Sequence, residues 1–170
     1  MSAVERPQVL RVRTIEWDDP LELAAVGTEL TGLEAMRRVA SGESPAPPIA
    51  KLLDMQLVEA SAGRAVFALE PAEWMYNPIG SVHGGIAATI LDSSLGCAVH
   101  TTLDAGVAYT TSDLQVRYVR AIGAETGRVL AESSVVHSGR RLATAEGRLY
   151  VEASGQLLAH ASTSCLILGA

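Results

Sequence analysis

The sequence contains little lysine, few aromatic residues and two cysteines. Lys51 is the one lysine in 170 residues, and aromatic side chains make up 4% of the chain. Lys51 does not stand in the G-x4-G-K-[ST] pattern of a P-loop, so that class of nucleotide site is not predicted. Hydrophobic residues make up 48% of the chain. Its core must therefore be built from alanine, valine and leucine, and the length suits one such core.

Basic charge is also scarce. Lysine and arginine number 13 against 19 acidic residues, which gives a net charge of −6. Proteins that bind nucleic acid or anionic membranes normally present a broad basic face, so we expect neither partner. The uncharged runs are broken by Pro78, glycines or polar residues, and no membrane span is predicted. Residues 1–19 carry charges and lack the apolar segment of a secretion signal, so we expect a cytoplasmic protein.

The cysteines and histidines form no familiar site. Cys97 and Cys165 stand in apolar surroundings without a C-x-x-C pattern, which is typical of reduced core residues. A catalytic thiol would need a histidine close in space, and His160 is the alternative that this leaves open. The four histidines lack metal-ligand spacing, and the G-x-S-x-G and H-E-x-x-H motifs are absent. We therefore expect no metal, no cofactor and no serine-hydrolase site.

One stretch organises the rest of the chain. The glycine-rich loop from Asn77 to Gly85 leads into an uninterrupted run from Ile86 to His100, which predicts a helix. Apolar residues cover most of its circumference, so the helix should be a central, buried element. Asp92 is its only charged residue, and an ionised carboxylate in such a helix is costly unless it is paired or functional.

A narrow stripe of small and hydroxyl residues surrounds this carboxylate at spacings of three and four. The stripe consists of Gly85, Thr89, Asp92, Ser93 and Gly96. It either meets water or leaves room for a ligand, and we favour the ligand. At the helix start, Gly84 and Gly85 should present unsatisfied backbone N–H groups at the positive end of the helix dipole, as an oxyanion site requires.

The motif Asn77, His83-Gly84-Gly85 and Asp92 has the spacing N-x5-H-G-G-x6-D. It resembles the signature of hotdog-fold acyl-CoA thioesterases, in the phenylacetate-pathway type branch of the 4-hydroxybenzoyl-CoA thioesterase superfamily. The resemblance extends from about residue 52 to residue 168. It implies an α+β hotdog fold, in which a curled antiparallel sheet wraps around one long central helix, and it implies hydrolysis of an acyl-CoA thioester.

The resemblance also implies a role for each motif residue. Asp92 would act as general base on water or as nucleophile on the thioester carbonyl, and the Gly84 N–H would bind the thioester oxygen. Asn77 would orient the thioester or the water. His83 would shape the loop, although a purely structural histidine fits as well. Thr111 stands where relatives often carry a hydroxyl that contacts the carboxylate, with a register uncertain by one residue.

Family members are dimers whose active sites lie between subunits, commonly paired into tetramers. The resemblance therefore implies a homodimer as the minimum active unit, and a homotetramer. Coenzyme A carries several phosphates and needs local basic groups. We expect Arg140 and Arg141, together with Gly85, to contact the substrate, with Arg117 and Arg120 as further basic candidates. The alternative function is a non-catalytic hotdog module that binds acyl-CoA or a related ligand.

Domain organisation follows from a proline-rich loop. Residues 1–48 form a predicted N-terminal extension, with a short strand through Val9 to Ile15, a helix from Pro20 to Val39 and the loop itself. Residues 49–170 form the predicted hotdog thioesterase domain. A short helix at 49–53 starts it, and strands are predicted at 56–60, 64–70, 107–120, 126–138, 140–153 and 156–168.

Overall fold

The structure is a computed structural model that describes residues 10–21, 24 and 28–169. Short helices precede the first strand, and one long helix lies between the second and third strands in the chain. In chain order the elements are α1 (Gly32–Ser41), α2 (Pro48–Leu53), β1 (Met55–Ser61), β2 (Arg64–Leu69), α3 (Gly84–His100), β3 (Ala108–Tyr118), β4 (Val129–Ser138), β5 (Leu142–Val151) and β6 (Leu157–Leu168).

The strands form one six-stranded sheet in the order β1-β2-β4-β5-β6-β3. Every neighbouring pair is antiparallel. This arrangement follows from the short glycine-containing turns, which favour antiparallel neighbours. β3 comes directly after α3 in the chain but lies at the far edge of the sheet, so α3 crosses its concave face. The predicted α+β hotdog architecture is confirmed.

The long helix α3 is the centre of the core. Its fully buried side chains contact the inner face of the sheet, and five apolar ones are 0% exposed: Ile90, Leu91, Leu95, Ala98 and Val99. The facing positions on β5 and β6 are small. Ala145 pairs with Thr163, and Gly147 pairs with Ala161. Small residues on matching faces let the helix lie close to the sheet, as the sequence predicts.

The N-terminal segment differs in part from its prediction: residues 20, 21 and 24 are helical as predicted, but the helix does not continue to Val39. Residues 28–31 form a turn rather than part of a continuous helix, and α1 begins only at Gly32. Thr31 caps α1, because its hydroxyl accepts from the Glu34 N–H while the Glu34 carboxylate accepts from the Thr31 N–H. Part of the predicted helix, residues 22, 23 and 25–27, lies outside the described residues.

Gly32 explains where α1 sits. Its N–H donates to the Leu103 carbonyl at 3.0 Å, and a Cβ built on it would lie 1.8 Å from the carbonyl oxygen of His100. Only glycine lets α1 rest directly on the end of α3. The predicted N-terminal strand is wrong for residues 10–15, which form no strand, and Val9 lies outside the described part. Among the described helices, none is both long and apolar enough to cross a membrane.

Candidate active site

His83 organises the start of α3. It is the N-cap residue, and its Nδ1 accepts a hydrogen bond from the Gly85 N–H at 2.9 Å. The Ile86 N–H donates to the carbonyl of His83 at 2.9 Å. These two bonds satisfy the second and third N–H groups of the helix. Because Nδ1 accepts the first of them, this nitrogen carries no hydrogen. The expectation that Gly85 presents a free N–H is therefore wrong.

Gly84 is left as the first residue of the helix, with an N–H that donates to no acceptor in the described part of the chain. The backbone at Gly84 is approached closely by Tyr118, whose hydroxyl donates to the Gly84 carbonyl at 3.0 Å. A Cβ at Gly84 would lie 3.2 Å from the Tyr118 ring. The sequence did not indicate Tyr118, because the contact joins residues 34 positions apart.

Asn77 closes the loop that precedes α3. Its Oδ1 accepts from the N–H groups of Ile79 and Ser81 at 3.0 and 3.3 Å, and its Nδ2 donates to the Ser81 hydroxyl at 3.1 Å. The side chain thus makes an Asx turn and is half-buried. One hydrogen of the Asn77 amide remains for a ligand, since an amide nitrogen carries two.

Asp92 meets Thr111 across the gap between α3 and β3. The Thr111 hydroxyl donates to the Asp92 carboxylate at 3.0 Å. Both residues are half-buried. Thr110 is exposed, and the Ser112 hydroxyl donates instead to the Ser164 carbonyl at 2.9 Å. The hydroxyl that reaches the carboxylate is therefore that of Thr111 and not that of either neighbour.

A cavity of about 250 Å³ opens beside this pair. Asp92, Ser93 and Thr111 supply its polar groups, and the rest of its lining is mostly apolar. Much of that apolar wall comes from the segment before the sheet, including Met36 and Val39 of α1 and Ala50 of α2. The spacing of Met36 and Val39 places both on one face of α1, and that face forms part of the cavity wall.

Gly96 has a different explanation from the one that the sequence suggested. A Cβ built on Gly96 would lie 2.8 Å from the hydroxyl oxygen of Tyr109. The small residue one turn after Asp92 thus makes room for a tyrosine of this chain rather than for a ligand. Tyr109 lies two residues before Thr111 on β3, so both side chains point toward α3.

Neither cysteine is a nucleophile in this arrangement. Burial, followed by the negative charge of Asp92, raises the pKa of the Cys97 thiol to about 12. Burial likewise raises the pKa of the Cys165 thiol. Cys165 is buried, whereas His160 lies five residues away on the same strand and is exposed on the opposite face of the sheet. The alternative of a thiol paired with His160 is therefore wrong.

Arg140 and Arg141 lie in the exposed turn between β4 and β5. The register brings that turn to the same end of the sheet as Thr111, because Cys165 pairs with Thr111 on one side and with Ala143 on the other. Two strand spacings correspond to about 10 Å. Neither arginine forms an ion pair with any described residue. Both remain candidates for binding the phosphate groups of the substrate, but they do not line the cavity.

The motif residues of one chain do not meet at one point. Asp92 follows Gly84 by eight residues in α3. A helix rises about 1.5 Å per residue, so these positions are about 12 Å apart along the axis. A thioester carbonyl contacts its oxyanion donor and its attacking group within about 3 Å. A single copy of the chain therefore separates the two groups that the resemblance assigns to one reaction.

Burial of His100 predicts an acid-sensitive stability. Desolvation lowers the pKa of His100 at the end of α3. Below about pH 6.5, the ordinary pKa of histidine, the unfolded state therefore binds the proton more readily than the folded state. We expect the free energy of unfolding to be unaffected above that pH and to fall as pH drops from 6.5 to 5. The slope from this group stays below about 1.4 kcal/mol per pH unit, the limit for one proton.

Urea unfolding at several pH values between 5 and 7.5 measures this effect in the wild type, in His100→Gln and in the control His137→Gln. His137 is exposed, so its replacement should keep the wild-type pH dependence. His100→Gln should flatten it. Equal slopes for His100→Gln and the wild type would contradict the prediction.

Comparison with known proteins finds a family match over the middle of the chain. Residues 79–157 match the family model described as Thioesterase superfamily, a stretch that runs from the loop before α3 to the start of β6. A Halobacterium salinarum protein provisionally named an esterase is 44% identical over 69 residues. That alignment covers 39% of this chain and 44% of the relative, so it spans less than half of the curated protein.

Solved structures resemble the fold over most of the chain. A phenylacetic acid degradation-related protein of Ralstonia eutropha JMP134, provisionally classed as a thioesterase, is 26% identical with a TM-score of 0.69; the match covers 77% of this chain and 98% of that one. The PaaI protein of the E. coli phenylacetic acid degradation operon is 20% identical with a TM-score of 0.70, over 81% and 96% of the two chains. The chain thus has the hotdog fold, its residues 79–157 match the thioesterase superfamily model, and the E. coli PaaI protein is among its structural neighbours.

Proposed function

We propose that the protein hydrolyses an acyl-CoA thioester to a free acid and CoA. The observation that carries this proposal is the pair of Asp92 and Thr111 at the side of an apolar cavity. Asp92 is the only charged residue of a central core helix. Among the described residues it accepts one side-chain hydrogen bond, which leaves oxygen lone pairs available for water or substrate. A core built for packing alone has no use for this carboxylate.

Asp92 would act in one of two ways on the thioester. As general base it would take a proton from water, which attacks the carbonyl carbon and expels the CoA thiolate. As nucleophile it would attack the carbonyl carbon and expel the CoA thiolate, which forms an anhydride that water then cleaves. Thr111 would hold the carboxylate in position in both routes. The apolar lining beside the pair suits the acyl group of the substrate.

Gly84 would supply the oxyanion donor. Its N–H is the first of α3, lies at the positive end of the helix dipole and is not used within the described part of the chain. His83 would act as a positioning residue, because its bond to the Gly85 N–H fixes the turn that presents Gly84. Asn77 would hold the loop in shape and offer its spare amide hydrogen to the thioester or the water.

The axial separation of Gly84 and Asp92 leads us to propose a homodimer as the minimum active unit, paired further into a homotetramer. Gly84 of one copy would face Asp92 of the other. β3 is an edge strand of 11 residues whose outer hydrogen-bonding edge has no neighbouring strand in the described chain. Such an edge is a ready surface for strand pairing with a second copy.

The CoA portion would extend from this site over the surface. Its phosphates would contact Arg140 and Arg141, whose guanidinium groups are exposed and unpaired within the described chain. Gly85 is exposed and would contact the substrate, although the space at its Cα is already approached by the His83 ring, 2.9 Å from a Cβ built there. We place the reaction in the cytoplasm, where the free thiols of Cys97 and Cys165 persist.

The proposal is tested by following free thiol release from a panel of short, medium, long and aromatic acyl-CoAs, together with an acyl-carrier-protein thioester. We expect turnover on the order of 1 s⁻¹ or faster on the preferred acyl-CoA. Turnover confined to the carrier-protein thioester would show that this thioester, rather than acyl-CoA, is the substrate. Tight binding of acyl-CoA without turnover of any thioester would instead establish a non-catalytic binding module.

A further inference from the structure

Two cavities, one of which is lined by Asp92, share part of their walls. The first, of about 250 Å³, contains Asp92 and Thr111. The second, of about 670 Å³, extends past His100 toward residues 106–108. Four residues line both cavities: Met36, Val39, Pro47 and Tyr109. The boundary between the cavities is therefore made by α1 and the proline-rich loop on one side and by a single β3 side chain on the other.

Tyr109 is held firmly in this wall. Its ring and hydroxyl fill the space that a side chain at position 96 would need, at 2.8 to 3.3 Å from a Cβ built on Gly96. On the other side, the ring centroid lies 5.5 Å from that of His100 at an interplanar angle of 51°. Burial raises the pKa of the Tyr109 phenol, so the hydroxyl stays neutral. Rotation of the ring out of the wall would break both contacts.

The wall of the first cavity that an acyl chain would reach is important for substrate specificity. Asp92 and Thr111 mark the side where a thioester carbonyl must lie under the proposed function, and Tyr109 stands two residues from Thr111 on the same face of β3. An acyl chain that enters past Asp92 into the apolar part of the cavity would meet the Tyr109 ring. A volume of 250 Å³ is slightly smaller than the roughly 300–1,000 Å³ of common ligand pockets.

We propose that Tyr109 is the specificity-determining residue that closes the acyl pocket and limits the substrate to short acyl chains. This inference rests on the proposed function. If one methylene takes roughly the 30 Å³ that a water occupies in the liquid, the pocket holds on the order of eight carbon atoms. The second cavity lies directly beyond the ring and would receive a longer chain once the ring is removed.

The test compares Tyr109→Leu with the wild type on saturated acyl-CoAs from C4 to C16. Leucine keeps the wall apolar but removes the end of the ring, which joins the two cavities. Each buried methylene contributes about 0.8 kcal/mol, or about fourfold in binding. We therefore expect kcat/KM for C12 relative to C6 to rise at least about tenfold in Tyr109→Leu. Tyr109→Phe is the matched variant, because it keeps the ring and should keep the wild-type length limit.

A second readout does not depend on hydrolysis. Calorimetric titration with saturated fatty acids from C4 to C16 measures the length limit of the pocket directly, and we expect the same shift toward longer chains in Tyr109→Leu. If thermal unfolding shows that Tyr109→Leu does not fold, Val39→Ala opens the same wall from α1 and should shift the limit in the same direction by a smaller amount.

The outcomes separate this inference from the function on which it rests. Wild-type hydrolysis with an unchanged length profile in the opened variants would overturn the role of Tyr109 and leave the thioesterase intact. A shifted fatty-acid limit without hydrolysis by any variant would support the wall and refute the thioesterase. No length-dependent binding or turnover in any variant would overturn the inference as well.

Discussion

Asp92→Asn is expected to lower kcat for thioester hydrolysis by about 10²–10⁴-fold, the usual contribution of a general base. Asparagine keeps the size of the side chain and an oxygen that can accept from Thr111, but it cannot take a proton from water or attack a carbonyl. The loss corresponds to about 3–5.5 kcal/mol of transition-state stabilisation. Steady-state thiol release on the preferred acyl-CoA measures it.

The same substitution should leave binding and folding in place. Asp92 is half-buried and has no cationic partner among the described residues, so loss of its charge removes no ion pair. We expect acyl-CoA affinity within about threefold of the wild type and a free energy of unfolding changed by less than about 1 kcal/mol. Asp104→Asn removes the same charge from an exposed position and should keep wild-type turnover. Unchanged kcat in Asp92→Asn would refute the assignment.

The sequence predicted the central helix and the strands because their signals are local. An apolar run of this length with one charge predicts a buried helix around which other elements pack, and glycine-containing turns separate the strands that follow. The motif that contains Gly84 and Asp92 could also be recognised from the sequence, since its residues lie within one helix and the loop before it. These features depend on residues that are neighbours in the chain.

The walls of the site could not be predicted from the sequence in the same way. Gly96 predicts space next to Asp92, but nothing near it in sequence shows that Tyr109 of β3 fills that space. Gly32 looks like a weak point in a helix, whereas it is the residue that lets α1 rest on α3. Each of these glycines is explained by a partner far along the chain, and single-sequence patterns carry no record of such pairs.

The contact between Thr111 and Asp92 could be predicted only in part. A hydroxyl near position 111 was predicted, with a register uncertain by one. β3 has an irregularity between Thr111 and Asp113, where its pairing with β6 shifts by one residue. A bulge changes which side chains share a face, so alternation read from the sequence cannot fix the register across it. Only the pairing with β6 determines that Thr111 points inward.

Gly84→Pro is the second substitution for which we expect a large effect, a fall in kcat of about 10²–10³-fold, as for removal of one oxyanion donor. Proline removes the N–H of Gly84 and adds a ring whose Cβ would lie 3.2 Å from the Tyr118 ring. It is favoured at the first position of a helix, and His83 already has φ −61° and ψ 133°, which suits a residue before proline. Gly84→Ala is the matched variant, because it keeps the N–H and its Cβ would approach only the flexible Tyr118 side chain. A similar loss in both variants would contradict the donor role.

Mixing the two inactive variants then tests whether the site is shared. In a heterodimer of Asp92→Asn and Gly84→Pro, one site would combine Gly84 of the first chain with Asp92 of the second and be intact, while the other site would carry both changes. Random exchange at equal concentration makes about half of the dimers mixed, so about a quarter of wild-type turnover should return. Sites contained within single chains would all remain defective, and no activity would return. Because α3 holds Gly84 and Asp92 about 12 Å apart, recovery is the outcome that the geometry of one chain requires if both residues act on the same carbonyl.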